Sequence, residues 1–384
     1  MSGCLELAAE ESERLLSDLI NSINDFICQA LRGEPAPWTA LGKLNVNEFL
    51  ARCRHHGVVA LLFHGMWNYP DWQNWPLELQ QELEQASKAG AAHDLLRTHY
   101  LRQLLKALAA KDIPCITTKG EALAVSVYKQ PGTRTRSDSD LFIRMGDIAG
   151  VRQTVLDLGY RVASTVYKSH QFTVVRPGDE LYSIRFDIHW RILNSPRFAR
   201  VLSFEEAFEG SREVPGMSPM RILNDSDALM LACMHRFGSE RHDRDRLIWI
   251  YDLHMLVTEM DEAELLRFSS NVVERHVQNV CLDGLCKARE CFHTEIPPRV
   301  IDMLTTPTPA GWHFESLGKS HLGLLLDDWK ALRDRPARME LLKELFVPSS
   351  EYLLYKYQKD NRLWLPLLYV RLVLGGLYNR LLLR

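Results

Sequence analysis

A change of hydrophobic period near Ile113 constrains this chain more than any other feature. Before it, apolar residues recur at helical spacing through Leu5 to Arg32, from about Asn47 through Phe49, Leu50, Val58, Leu61 and Leu62, and from Pro76 towards Lys111. Asn47 is the expected cap of the second stretch, and Pro76 the first helical position of the third. From Ile113 short β-rich runs take over: Ile113–Thr117, Leu141–Arg144, Tyr160–Thr165, Phe172–Arg176 and Ile184–Trp190. One helix, Ile148–Leu158, lies among them and is closed by Gly159. After about Pro215 helical spacing returns through Ala228–Arg236, Leu247–Glu259 and Ala263–Cys291. The pattern predicts an α+β fold in which a small mixed sheet is embedded between N- and C-terminal helical regions. The expected division is 1–110, 111–215 and 216–384.

Composition excludes several classes. With 46% hydrophobic and 25% charged residues the chain is ordinary globular material, not a disordered one. A formal net charge of -3 gives no bulk attraction to phosphate polymers, so there is no strong nucleic-acid signal. The acidic start, MSGCLELAAEESERLLSDLI, is unlike a signal peptide, and eight cysteines without paired spacing suit reduced thiols. Both point to a cytoplasmic protein. Cys281, Cys286 and Cys291 are spaced at about 140° steps on a helix and, with His293 nearby, read as packing residues, not a zinc site.

The stretch 363–384 is the one hint of a membrane. Arg371 and Arg380 cut it into uncharged runs of eight, short of the roughly 20 apolar residues of a span. A buried helix is expected there. Membrane-surface contact is the lesser reading, because Arg362 and Arg380 share one helical face while Arg371 lies opposite.

The chemistry concentrates between Lys119 and Trp190. Asp138 and Asp140, two residues apart at the start of an apolar strand, point to one face; Asp187 sits in a second strand-like run, Arg185 to Trp190. If those strands are neighbours, three carboxylates converge. Crowded carboxylates raise one another's pKa, so such a group calls for cations, and hard oxygen ligands select Mg²⁺ or Mn²⁺. By itself Asp-x-Asp is a common surface pattern. The context lifts it: a strand entering Lys119-Gly120, a helix, a Pro-Gly turn, two arginines, and Ser137-Asp138-Ser139-Asp140 on a strand.

These motifs resemble the polymerase-beta-like nucleotidyltransferase superfamily. More closely, the chain is similar to bacterial nucleotidyltransferases with a Lys-Gly first motif, an Arg-x-x-Ser-Asp-x-Asp second motif and an Asp-x-His-Trp third motif. They stand here as Lys119-Gly120, Arg134 to Asp140, and Asp187 to Trp190, with the likeness covering roughly residues 40 to 260. The resemblance implies Asp138, Asp140 and Asp187 as metal-binding catalytic residues. It implies transfer of a nucleoside monophosphate from an NTP, ATP first, to an unknown small-molecule or protein acceptor. The alternatives are an antitoxin or regulator modifying a partner protein, and an inactive nucleotide-binding scaffold.

Lys119, Gly120, Arg134, Ser137 and His189 are the nucleotide-contact candidates. Lys119 offers charge to a triphosphate, Gly120 an open backbone, and Arg134 a bidentate fork; the alternative for Arg134 and Arg136 is pairing with the site aspartates. His189 shares a strand face with Asp187 and would touch phosphate or orient that aspartate, while Trp190 faces the core. His235 and Asp252 match helical positions of the family and read here as a structural couple. Two departures stand out. Seventeen residues separate Gly120 from Asp138, and Ser139 replaces an apolar residue, which predicts a less buried strand. Arg236 and His242 fit a loose ribonuclease spacing and read as a charged helix end.

Overall fold

The computed structural model of the chain describes residues 18–308 apart from 43, 131, 165–169, 178–183 and 239–244, with a scattered subset between 326 and 372. Expectations that fell on residues 1–17, on His242 and on 373–384 lie outside the described residues.

Four helices precede the sheet: α1 (residues 18–31), α2 (Val46–His56), α3 (Val59–Met66) and α4 (Leu77–Ala109). The cap of α2 is Asn45, not Asn47. Its side chain accepts from the Asn47 N–H at 2.7 Å, as a cap must stand in extended backbone and reach two residues forward. Gly57, at φ 72°, closes α2 in the left-handed conformation that glycine adopts without steric cost.

The sheet strands are β1 (Cys115–Thr118), β2 (Ser139–Ile143), β3 (Arg161–Ser164), β4 (Gln171–Val175), β5 (Arg185–His189), β6 (Arg212–Glu213) and β7 (Arg221–Ile222). Helix α5 (Lys119–Ser126) joins β1 towards β2, α6 (Ile148–Asp157) follows β2, and α7 (Phe204–Gly210) follows β5. The order is β3-β4-β5-β2-β1-β7-β6, with β2/β5 and β1/β7 parallel and the other pairs antiparallel. This is the expected mixed sheet. The two-residue strands β6 and β7 carry too few positions for a period-2 signal, so nothing in the sequence announced them.

Alternation sorts the two faces. Leu141, Ile143, Phe172, Val174, Phe186 and Ile188 pack against Leu101, Leu104, Leu105 and Leu108 of α4 and Val151 and Val155 of α6. The other face carries Ile116 and Phe142 into a larger core. There they meet Phe49 and Leu62 from α2 and α3, and residues of α8 (Asp225–Gly238), α9 (Leu247–Glu259), α10 (Glu262–Glu274) and α11 (Gln278–Phe292). Helix α12 (Pro298–Leu304) adds Val300 and Leu304. Helices from both ends of the chain thus share one core.

Strand β2 begins two residues before the expected Leu141. Asp140 therefore lies inside it and Asp138 in the loop just before. All five residues of β2 are buried, Ser139 among them, contrary to the expectation of a less buried strand. The hydroxyl is tolerated because Ser139 Oγ donates to Glu121 Oε2 at 2.6 Å. Among the described residues no helix is long and apolar enough to cross a membrane.

Candidate active site

Strand register assembles the polar row. Parallel pairing of β2 with β5 sets Asp140 beside Asp187 and Phe142 beside His189; β1 adds Thr118 beside Asp140, and β4 adds Thr173 beside Asp187. Directly paired residues share a face, so Thr118, Asp140, Asp187 and Thr173 form one line across four strands, with His189 one pleat away. Ligand atoms of Asp140, Asp187 and His189 all lie within 4.8 Å of one another. Sequence reasoning placed Asp138 in that innermost group; the structure puts His189 there and leaves Asp138 in the adjoining wall.

That wall encloses a cavity of about 530 Å³, within the range of small-molecule sites. Lys119, Asp138, Asp140 and Asp187 stand on the sheet side, with His235 of α8 and Trp249 of α9 also in the lining. Ser137 is exposed at its rim.

With that geometry in hand, the profile of a family described as uncharacterised nucleotidyltransferase matches residues 42–293, well over half of the chain. The chain belongs to this nucleotidyltransferase family. The matched span runs past the expected end near 260 and takes in α10 and α11. No curated protein matches the chain.

In this nucleotidyltransferase Asp140 is held by a lysine and a histidine at the same oxygen. Its Oδ1 accepts from Lys119 Nζ at 2.6 Å and pairs with His189 Nε2 at 2.8 Å. Burial alone would raise the Asp140 pKa, but Lys119 and then His189 overcome it and hold the carboxyl well below its ordinary value. Lys119 shows the reciprocal effect. Burial opposes its charge, yet Asp140, helped by Asp138 and Asp187, holds its pKa above the usual lysine value. Lys119 also sits at φ 52°, a left-handed conformation a non-glycine residue adopts only where its surroundings compel it.

Asp138 has the opposite balance. Burial first, then the Asp140 and Asp187 charges, push its carboxyl up to about 6. Arg97 of α4, almost fully buried, donates to the Asp138 backbone carbonyl at 3.2 Å and so fixes the loop. Asp187 is oriented from β4: Thr173 Oγ1 donates to Oδ1 at 2.6 Å and Gln171 Nε2 to Oδ2 at 3.3 Å. His189 therefore serves Asp140, and Asp187 is steadied by neighbours the sequence reading did not name. Alternation within Phe172–Arg176 was the available signal for Thr173, the polar residue between Phe172 and Val174.

Neither arginine grips the site aspartates. Arg134 Nε and Nη2 donate to the two carboxylate oxygens of Asp252 at 2.7 Å each, and Tyr128 Oη donates to Oδ1 at 2.7 Å. Arg136 donates to Glu121 at 2.8 and 3.1 Å and to Asp94 at 3.0 Å. Gly120 makes room for Arg134: a Cβ there would lie 3.3 Å from Nη2. Both Asp252 and His235 line the cavity instead of serving only the helical bundle. His235 stands edge-on to Trp249, centroids 5.1 Å apart, and burial, then Lys119, pushes its imidazole down to about 3.

The donor set fits a divalent cation. Two carboxylates and an imidazole converge, and burial, then Lys119, lowers the imidazole pKa and so favours its neutral form. With Nε2–H turned to Asp140, His189 steadies that carboxylate and leaves the oxygens of Asp140 and Asp187 as the hard donors a divalent cation takes.

Proposed function

We propose that the protein transfers a nucleoside monophosphate from an NTP, ATP first among the candidates, to a hydroxyl of a small-molecule or protein acceptor. The observation that carries this reading is the in-register pairing of Asp140 with Asp187 inside a cavity that also holds Asp138 and Lys119. Asp138, Asp140 and Asp187 would hold Mg²⁺ or Mn²⁺, with His189 bracing Asp140. Bound there, the ions would supply charge neutralisation for the triphosphate and for the leaving pyrophosphate.

The chain's own groups divide the remaining work. Lys119, already poised as a cation against Asp140, pairs with triphosphate charge when nucleotide binds. Ser137 and the backbone at Gly120 lie at the same cavity wall and complete the phosphate contacts. Arg134 acts from behind, tying the loop before β2 to α9 through Asp252. Asp187, steadied by Thr173 and Gln171, accepts the proton of the acceptor hydroxyl. The acceptor oxygen forms a bond to the α-phosphorus, the bond from that phosphorus to the bridging oxygen breaks, and pyrophosphate leaves with the electron pair.

Isothermal titration with ATP, GTP, CTP and UTP, with and without Mg²⁺, tests the proposal. Mg²⁺-dependent binding of at least one NTP, lost in Asp138→Ala/Asp140→Ala, is the expected result. Failure of the unaltered protein to bind any NTP overturns it.

A further inference from the structure

Residues 361–384 combine basic charge with an apolar composition. The whole protein carries a net charge of -3, yet these 24 residues hold Arg362, Arg371, Arg380 and Arg384, no acidic residue, and 15 hydrophobic ones. A 3-10 turn, Arg362–Trp364, leads into a helix at residues 365–372. One side of that helix is already used: Leu365, Leu368, Tyr369 and Leu372 pack with Leu353, Leu354 and Tyr357. The other side is apolar as well. Leu363 is 85% exposed, Leu367 57%, Val370 54% and Trp364 45%.

At about 100° per residue, Leu363, Leu367 and Val370 make a stripe roughly 60° wide. Trp364 and Arg371 border it on one side and Arg362 on the other. The expectation of a buried helix thus holds for one side only, because the small cluster around Leu353 and Leu368 covers a single face. Arg362 and Arg371 lie half a turn apart, which in a lone helix spoils a polar stripe. With the inward face fixed by packing, Arg362 stays exposed beside the outward apolar one, while the Arg371 guanidinium lies 5.1 Å over the Tyr357 ring at the edge of the packed side.

We propose that this face docks on an anionic lipid surface, lying in the plane of the bilayer interface. Arginines beside an apolar stripe bury their stems and keep their guanidinium groups at phosphate depth, and tryptophan favours the same depth. Local charge selects the partner. An acidic protein has no general attraction to anionic lipid, so a local concentration of arginine beside exposed apolar residues, as in this acid-free segment, would draw it there. Pairing with a second copy about a two-fold axis would bring like-charged arginines together, which disfavours that occupant. The proposal stands apart from the nucleotidyl-transfer reading and needs neither nucleotide nor metal.

Co-sedimentation of the full chain with phosphatidylcholine vesicles, with and without phosphatidylglycerol, tests it. Binding to the phosphatidylglycerol vesicles is expected to weaken about tenfold or more in Arg362→Gln/Arg371→Gln, and comparably in high salt. Leu363→Glu/Leu367→Glu should abolish binding; both positions are exposed, so the melting temperature should not change. No sedimentation with either vesicle overturns the proposal, as does binding indifferent to both variants. Gel filtration showing a dimer that Leu363→Glu/Leu367→Glu converts to monomer, without vesicle binding, would make the face a protein interface instead.

Discussion

Asp138 keeps its proton to about pH 6, whereas the same carboxyl in an unfolded chain ionises near 4. Between those values the folded state binds the extra proton, so Asp138 lowers folding stability as pH rises from about 4 to 6, and the loss persists above 6. Asp138→Asn should therefore stabilise the metal-free protein at pH 7, by on the order of 1–3 kcal/mol, and flatten that part of its stability profile. Urea unfolding across pH reads both effects, and no gain at pH 7 would sink the account. Lys119 is the complementary case. Its ammonium offsets Asp140 at 2.6 Å, so Lys119→Met should destabilise the metal-free protein. The Mg²⁺-induced rise in Tm should grow, because the ion no longer competes with an internal cation, while NTP affinity falls. An unchanged Mg²⁺ increment would show that the two do not share the carboxylate.

Two buried arginines fix the segment that carries Asp138 and Asp140. Arg134 reaches Asp252 on α9, and Arg136 reaches Glu121 on α5 and Asp94 on α4; Arg134, Arg136, Glu121 and Asp252 side chains are at most 7% exposed. Removing one partner of a buried pair leaves an uncompensated charge, at a cost of about 3–5 kcal/mol, whereas replacing both by apolar groups is far milder. Asp252→Ala is expected to fall in that range by urea unfolding, and Arg134→Met/Asp252→Leu to recover most of the loss. Equal losses in the single and double variants would mean the pair contributes only packing. Glu121 also accepts from Ser139, between the two aspartates. Glu121→Ala should thus weaken Mg²⁺-dependent NTP binding although Glu121 does not line the cavity, and unchanged affinity would reduce its role to stability.

At the scale of the whole molecule, the sheet face that bears the aspartate row is covered by helices from both sides of the sequence, joined in one apolar core. The stretch 111–215 alone would expose Ile116, Phe142, Phe198 and Phe204, all buried here. Expressed by itself it should lack a cooperative thermal transition and bind a hydrophobic dye, whereas residues 18–308 should melt as one unit. A sharp transition in the short fragment would show that the helices are additions and not part of its core.

The sequence by itself determined most of the elements and which residue types stand near one another in the motifs. Period 3.6 and period 2 separate helices from strands because side-chain burial follows backbone geometry, and Asp-x-Asp at a strand start places two carboxylates on one side whatever surrounds them. It also marked Lys119, Arg134 and His189 as residues worth following. Only the tertiary structure decided their partners. Asp140 meets Asp187 because β2 and β5 run parallel in that register, and a slip of one residue would turn one carboxylate to the opposite face. Arg134 could as well have faced phosphate as Asp252, 118 residues away, since an arginine's partner depends on which charge the fold brings within reach. His189 meets Asp140 across the parallel pair of β2 and β5 for the same reason. Residue types fix what a side chain can do, but strand register and helix packing fix which groups it does it with.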